Sequence, residues 1–237
     1  FSFYKSDEEI FQDYGLWRFV NIEQKGGGNY LKENTSWAKQ TIAHNTIVQN
    51  ETSHFGGDFD TSSRYASELF VFDASNPKVQ VVSANENNAY PGTKFQRTMA
   101  LIDEDGFEKP FVLDIIQLDS KTSNQYDLPF HYFGQIMSAS FKYESPKMLE
   151  ALGKANGYQH LWKEGHGIAG GDNVKISWLN NGSFYTLTSA TQPNDEVFFA
   201  RLGANDPSFN LRRDPAIVLR KKNAQKATFV SVLETHG

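Results

Sequence analysis

Short aromatic and β-branched runs, each closed by turn chemistry, recur along most of this 237-residue chain. They cover residues 68–72, 79–84, 95–102, 111–118, 174–179, 183–189, 197–202 and 228–233. Between them stand Ser75-Asn76-Pro77, Pro91-Gly92, Glu104-Asp105-Gly106, Asn180-Asn181-Gly182 and Asn205-Asp206-Pro207. Such residues preset φ or tolerate the left-handed region, so each cluster reads as a reversal of the chain. Asn181-Gly182, between two aromatic-rich runs, is the strongest hairpin signal. Many short strands at this spacing predict an all-β fold of stacked antiparallel sheets. An aromatic content of 14% supports strands over helices.

Few short helices are expected. Ser145 as cap, Pro146 at the first position and Gly153 as terminator predict one over residues 145–153. A second turn is expected over residues 34–39. No apolar run is long enough to span a membrane as a helix. A net charge of −5 and a pI near 5.7 argue against a nucleic-acid surface. The absence of cysteine excludes disulfides, thiolate nucleophiles and Cys-bound zinc, and suits cytoplasm and periplasm alike.

The whole chain, residues 1–237, reads as one domain in two parts. Residues 1–65 carry the glycine clusters Gly26-Gly27-Gly28 and Gly56-Gly57, two histidines and many polar groups, and read as functional loops. Residues 66–237 read as the sheet scaffold beneath them. Phe1-Ser2-Phe3-Tyr4 alternates like the body of a strand, with no initiator Met and no leader. The expectation is a fragment that begins inside a fold.

Among residues able to carry chemistry, Asp13 in Asp13-Tyr14-Gly15 reads as a strand end with an inward carboxylate. His44 lies in Ile42-Ala43-His44-Asn45-Thr46-Ile47. Both types ligate zinc, which needs three or four such groups; a satisfied strand histidine and a turn aspartate explain the same spacing. Tyr30 follows the glycine loop and reads either as a proton-transfer group or as an exposed aromatic. Arg18 reads as a carboxylate fork or a surface ion pair. Glu51, His54, Asp58 and Asp60 read as a solvated loop, His131 as a locally bonded strand residue, His160 and His166 as sheet and loop residues. Arg212, Arg213 and Asp214 read as surface. No Ser-His-Asp order, P-loop or dinucleotide fingerprint is present.

The stretch QDYGLWRFVNIEQKGGGNYLKENTSWAKQTIAHNTIVQNETSHFGGDF, residues 12–59, contains DYG, GGxYxxENxSWAKQ and AHNT in order. It resembles the oligoalginate lyases of polysaccharide lyase family 17, a heparinase II/III-like group. YDLPFHYFGQ (126–135), YQHLW (158–162) and ISWLNNGSFYTL (176–187) resemble the β-sheet domain of the same group. The resemblance covers essentially the whole chain. It implies an N-terminal (α/α) toroid, absent here, joined to this β-domain, with the active site between them.

The resemblance further implies β-elimination: a uronate loses its C5 proton, the 4-O-glycosidic bond breaks, and exo-type cleavage releases an unsaturated monouronate. It makes Asp13 and His44 two of three zinc ligands, the third being a His just upstream of Phe1. Zinc is then structural. Tyr30 takes the place of a catalytic tyrosine and Arg18 that of a substrate-binding arginine. The partners implied are an alginate oligosaccharide, the missing toroid as covalent or nicked partner, and a homodimer as an open assembly state. Nucleic acid and a membrane span are excluded, and a periplasmic or secreted location is implied. The isolated chain is expected to be inactive. A lyase of a heparin- or chondroitin-like uronate, and a non-catalytic carbohydrate-binding β-sandwich, are the alternative readings.

Overall fold

The computed structural model describes residues 1–14 and 31–236. Strands β1 (Phe3–Lys5) and β2 (Glu8–Phe11) make a small antiparallel hairpin. The other twelve strands form one continuous antiparallel ladder. After β3 (Val48–Gln49) come β4 (Glu68–Asn76), β5 (Val79–Tyr90), β6 (Thr93–Ile102) and β7 (Phe111–His131), paired in that order from β4. The path continues from β7 to β14 (Pro215–His236), β12 (Ser183–Ala190), β11 (Asn173–Asn180) and β8 (Gln135–Ala139).

Two long strands fold this ladder into layers. Residues 226–233 of β14 pair with the first part of β7 and residues 231–236 with β12, whereas residues 216–221 pair with the last part of β7 and residues 215–220 with β13 (Glu196–Leu202). Register shifts at Lys221/Ala224 and Ala224/Lys226 mark the bend between the halves, with Asn223 at φ 55°. β13 in turn pairs with β10 (Leu161–Ile168), and β10 with β9 (Tyr143–Glu144).

Alternation along the strands then sorts the side chains. Ile217 and Leu219 of β14, with Val197 and Phe199 of β13, point into the core between the layers, opposite Ile116, Trp178, Leu187 and Phe229. Their neighbours Ala216, Val218, Phe198 and Ala200 point to the other side of the second layer. That side is covered by residues 31–50 and 152–161, with Trp37, Ile42 and Tyr158 fully buried on it. The segment rich in candidate residues is therefore a third layer fixed by its own hydrophobic core. Gly157, at φ 92°, lets the chain pass beneath it; a Cβ there would stand 2.5 Å from the Ile42 side chain.

The expected stacked antiparallel sheets are present. Asn181 (φ 44°) and Gly182 (φ 87°) turn β11 into β12, as the Asn-Gly pair predicts. Residues 34–39 form a π-helical turn, Asn34–Ala38. The helix expected over 145–153 does not form. There the backbone runs beside β10, Leu152 N–H donating to Leu161 O at 2.7 Å and Lys163 N–H to Glu150 O at 2.8 Å. Its apolar residues Met148 and Leu149 are exposed and Leu152 alone reaches the core, so a helix would bury little in return for its nucleation cost. Among the described residues, no helix is long and apolar enough to cross a membrane.

Candidate functional site

Asp13 sits between two fully buried residues, Gln12 and Tyr14, and is itself half-buried, so its carboxylate points away from the core rather than inward. Three contacts hold this backbone. Gln12 N–H donates to His131 O at 3.0 Å, Asn45 Nδ2 donates to Gln12 O at 2.8 Å, and the Gln12 side chain accepts from Arg212. Arg212 also lies 5.2 Å from the Tyr14 ring and pairs with Asp214 at 2.9 Å. Arg212 and Asp214 are thus part of the support of the site, not the surface residues expected from their sequence context.

His44 follows a single 3₁₀ turn, Thr41–Ala43, whose three residues are all buried. The turn brings His44 Nδ1 to 2.5 Å from Asp13 Oδ1, while Nε2 donates to Ala38 O at 3.0 Å. The Ala38 carbonyl can only accept, so Nε2 carries a hydrogen. Nδ1 then faces a carboxylate oxygen at hydrogen-bond distance, and a proton must lie between them; zinc bonds of about 2.0 Å to each atom would need the two to move apart. Burial acts to raise the Asp13 pKa, but the hydrogen bond and charge of His44 outweigh it and hold the carboxyl below its ordinary value. Both side chains remain about one-third exposed, so the pair is open to solvent.

Asn45 is the hub of this region. It is fully buried; Nδ2 donates to Phe1 O at 2.7 Å and to Gln12 O, and Oδ1 accepts from His131 N–H at 2.8 Å. Arg97, in a bidentate pair with Asp114, donates to Asn45 O at 2.5 Å. Four segments distant in sequence meet on one residue. His131 bonds across the fold to Ile42 O at 2.8 Å, not locally as its sequence setting suggests, and burial pushes its pKa down to about 4. His160 shares a 2.9 Å hydrogen bond with Ser36 of the π-helical turn.

The donor types of Asp13 and His44 suit zinc, and an Nε2–H anchored on a backbone carbonyl is how a histidine ligating through Nδ1 is usually oriented. No group of three or more potential ligands is present among the described residues, so the pair fits half of a site. Arg18, Tyr30 and the Gly26-Gly27-Gly28 loop lie outside the described residues. Glu51, His54, Asp58 and Asp60 do not cluster. Glu51 pairs with Arg220, His54 Nε2 bonds Ile47 O, and Asp58 accepts from Thr61 N–H to cap helix α1 (Phe59–Ser62). His166 pairs with Glu196 at 3.2 Å on β10.

Sequence reasoning missed Asn45, Gln12 and Arg212 as functional supports. Asn45 lies inside AHNT and Gln12 directly before DYG, so the motifs contained both; nothing local marked Arg212, which is 200 positions from the glutamine it holds.

Known proteins share this sequence and fold. An exo-oligoalginate lyase of Saccharophagus degradans is 43% identical over 99% of this chain, and an alginate lyase of Stenotrophomonas maltophilia is 42% identical over 99%. The chain spans about a third of each, 32%. Two solved heparinase III structures match its fold with TM-scores of 0.60 and 0.53 at 11% and 14% identity, each over 99% of the chain and 29% of their own length. The family model described as heparinase II/III-like, C-terminal, matches residues 1–232, and the chain belongs to that family.

Proposed function

We propose that this chain is the β-domain of an exo-type oligoalginate lyase, working with a toroidal domain such as the one its family resemblance implies. The observation that carries the reading is the Asp13–His44 pair, joined in space across 31 residues by the segment holding DYG, GGxYxxENxSWAKQ and AHNT. Identity of 42–43% to two alginate lyases supports the substrate class.

The chemistry asks for three things. The C5 proton of a uronate is weakly acidic while the adjacent carboxylate is charged, so that charge must be neutralised as the carbanion develops. Arg18 supplies a planar fork suited to a sugar carboxylate. Tyr30, on a glycine loop that allows close approach, serves in the proton transfer that removes the C5 hydrogen and protonates the departing 4-oxygen. Asp13 and His44 would hold zinc together with a further His that the family pattern supplies. Asn45 keeps Phe1 O next to Gln12, within this same region. Bound there, zinc supplies a fixed charge and cross-links the loops beside the cleft. A periplasmic or secreted location is part of the same proposal and rests on the task of the resembled family.

The test is a chimera in which this chain replaces the matching third of the Saccharophagus lyase. It should produce near-ultraviolet absorbance of unsaturated uronate from alginate trisaccharides, and Tyr30→Phe should remove most of that rate, on the order of 100-fold, while leaving the fold intact. Turnover only on heparin- or chondroitin-derived oligosaccharides would move the substrate class. A folded chimera inactive on all three would leave a non-catalytic sandwich.

A further inference from the structure

On the side of the sandwich away from Asp13 and His44, the outer face of the first layer carries an ordered row of sugar-compatible groups. Asn85 of β5 faces Gln96 of β6, Gln96 faces Gln117 of β7, and Gln117 faces Thr228 of β14. Successive members stand about 4.8 Å apart, the spacing of adjacent strands. One pleat along, Lys94 faces Asp119 and Asp119 faces Lys226. The intervening Leu118 and Phe229 point into the core, which fixes this face as the outer one.

These side chains line a trough of about 490 Å³. A second hollow of about 350 Å³ shares Lys226 and Thr228 with it and continues past Lys221, Lys222 and Asp195 toward Gln192. Together they cross β5, β6, β7 and β14 and reach the end of β12, a path of roughly 19 Å at strand spacing.

A solvated outer face is ordinary for an antiparallel sheet, so polarity alone decides nothing. Charge and hydrogen-bonding capacity are the distinguishing features. The chain carries a net −5, yet four lysines line the trough against two carboxylates, Asp119 and Asp195. Lys226 pairs with Asp119 at 3.3 Å, Lys221 with Asp195 and Lys222 with Glu196 at 2.5 Å, so the uncompensated charge is that of Lys94, which has no carboxylate partner among the described residues. Gln96 donates to Ser83 Oγ at 2.8 Å. The side chains of Asn85, Gln117 and Thr228 make no hydrogen bond to the protein among the described residues, so their donors and acceptors face the trough unspent.

We propose that this trough is a second, non-catalytic binding site for an acidic oligosaccharide. Ring hydroxyls are matched by the amide row and uronate carboxylates by Lys94 and Lys226 beside it. The choice of a uronate rests on the proposed function. The site would keep a polymer attached to one side of the protein while chain ends are consumed on the other.

Affinity electrophoresis of the chain in gels containing alginate, with neutral dextran as control, tests this. Alginate should retard the protein and dextran should not. The double variant Lys94→Ala, Gln117→Ala should weaken retardation about tenfold, as expected for two lost polar contacts, whereas Lys147→Ala, at an exposed lysine outside the trough, should leave it unchanged. The exposed positions make misfolding improbable to confuse the result, and near-ultraviolet circular dichroism together with the milder Lys94→Gln checks it. Absence of retardation, equal retardation by dextran, or undiminished retardation of the double variant would each overturn the trough. None of these outcomes touches the lyase reading, which stands or falls on turnover by the chimera.

Discussion

Asn45 shows how much of this site depends on one amide. Its three side-chain hydrogen bonds join the Phe1 end, the Gln12–Asp13 backbone and β7, immediately beside His44. Asn45→Ala leaves two buried carbonyls and one buried N–H without partners, so a loss of about 2–4 kcal/mol is expected in urea unfolding. A loss under about 0.5 kcal/mol would mean the hub is not structural. His131 gives a residue-level pH dependence. Its pKa is pushed down to about 4 by burial, so between that value and an unfolded pKa of about 6.5 the unfolded chain binds a proton the folded chain refuses. This contribution to stability is therefore complete above about pH 6.5 and is lost as pH falls toward about 4, on the order of 3 kcal/mol in all. His131→Gln should flatten the difference between unfolding midpoints at about pH 7.5 and about pH 5; an unchanged difference would assign the slope to other groups. At this scale the sequence revealed little unaided. Spacing left Asp13 and His44 open to a bland explanation, and their meeting was legible only through the motif resemblance. Arg212 was invisible because the contact that gives it a role is made by folding alone.

Among the elements, the strands most easily read were those with one face in the core, because burial imposes alternation on the sequence. The long strands were read only in part. Residues 111–118 and 228–233 stood out, yet β7 extends to His131 and β14 begins at Pro215. Their middles, around residues 120–125 and 221–225, are polar and resemble turns, and the ladder shifts register there, with Ala224 opposite Asn124 as the single pair before it resumes at Lys226. Where the upper halves of these strands meet the outer segment, Arg220 forms a bidentate pair with Asp127 at 2.7 Å. Tyr158 donates to the same carboxylate at 2.6 Å, and Glu51 joins Arg220 at 3.1 Å. Asp127 is wholly buried. Arg220→Leu strands its charge and is expected to cost about 3–5 kcal/mol, while adding Asp127→Leu recovers much of that loss. Equal losses from the single and double variants, read by denaturant unfolding, would show that the pair contributes packing rather than charge balance. The expected helix at 145–153 failed for the complementary reason: its local signals were sound, but no core awaited its apolar face.

At the scale of the whole molecule, the three layers explain why one chain presents two kinds of surface. The second sheet is buried on both faces because residues 31–50 and 152–161 cover it, and that cover carries His44, with Asp13 beside it. The first sheet keeps a free outer face, where the lysine and amide trough lies. The expectation of loops over residues 1–65 on a scaffold of residues 66–237 did not show that residues 31–50 are a packed layer or that residues 152–161 join them, because the alternation of a single strand does not tell what covers the sheet. The most direct test of the Asp13–His44 metal site is zinc content by mass spectrometry of the chimera purified without added metal. About one zinc per chain is expected, lost together with thermal stability in His44→Ala and retained in His166→Ala, which lies on β10 away from the pair. Stoichiometric zinc retained in His44→Ala would contradict the assignment.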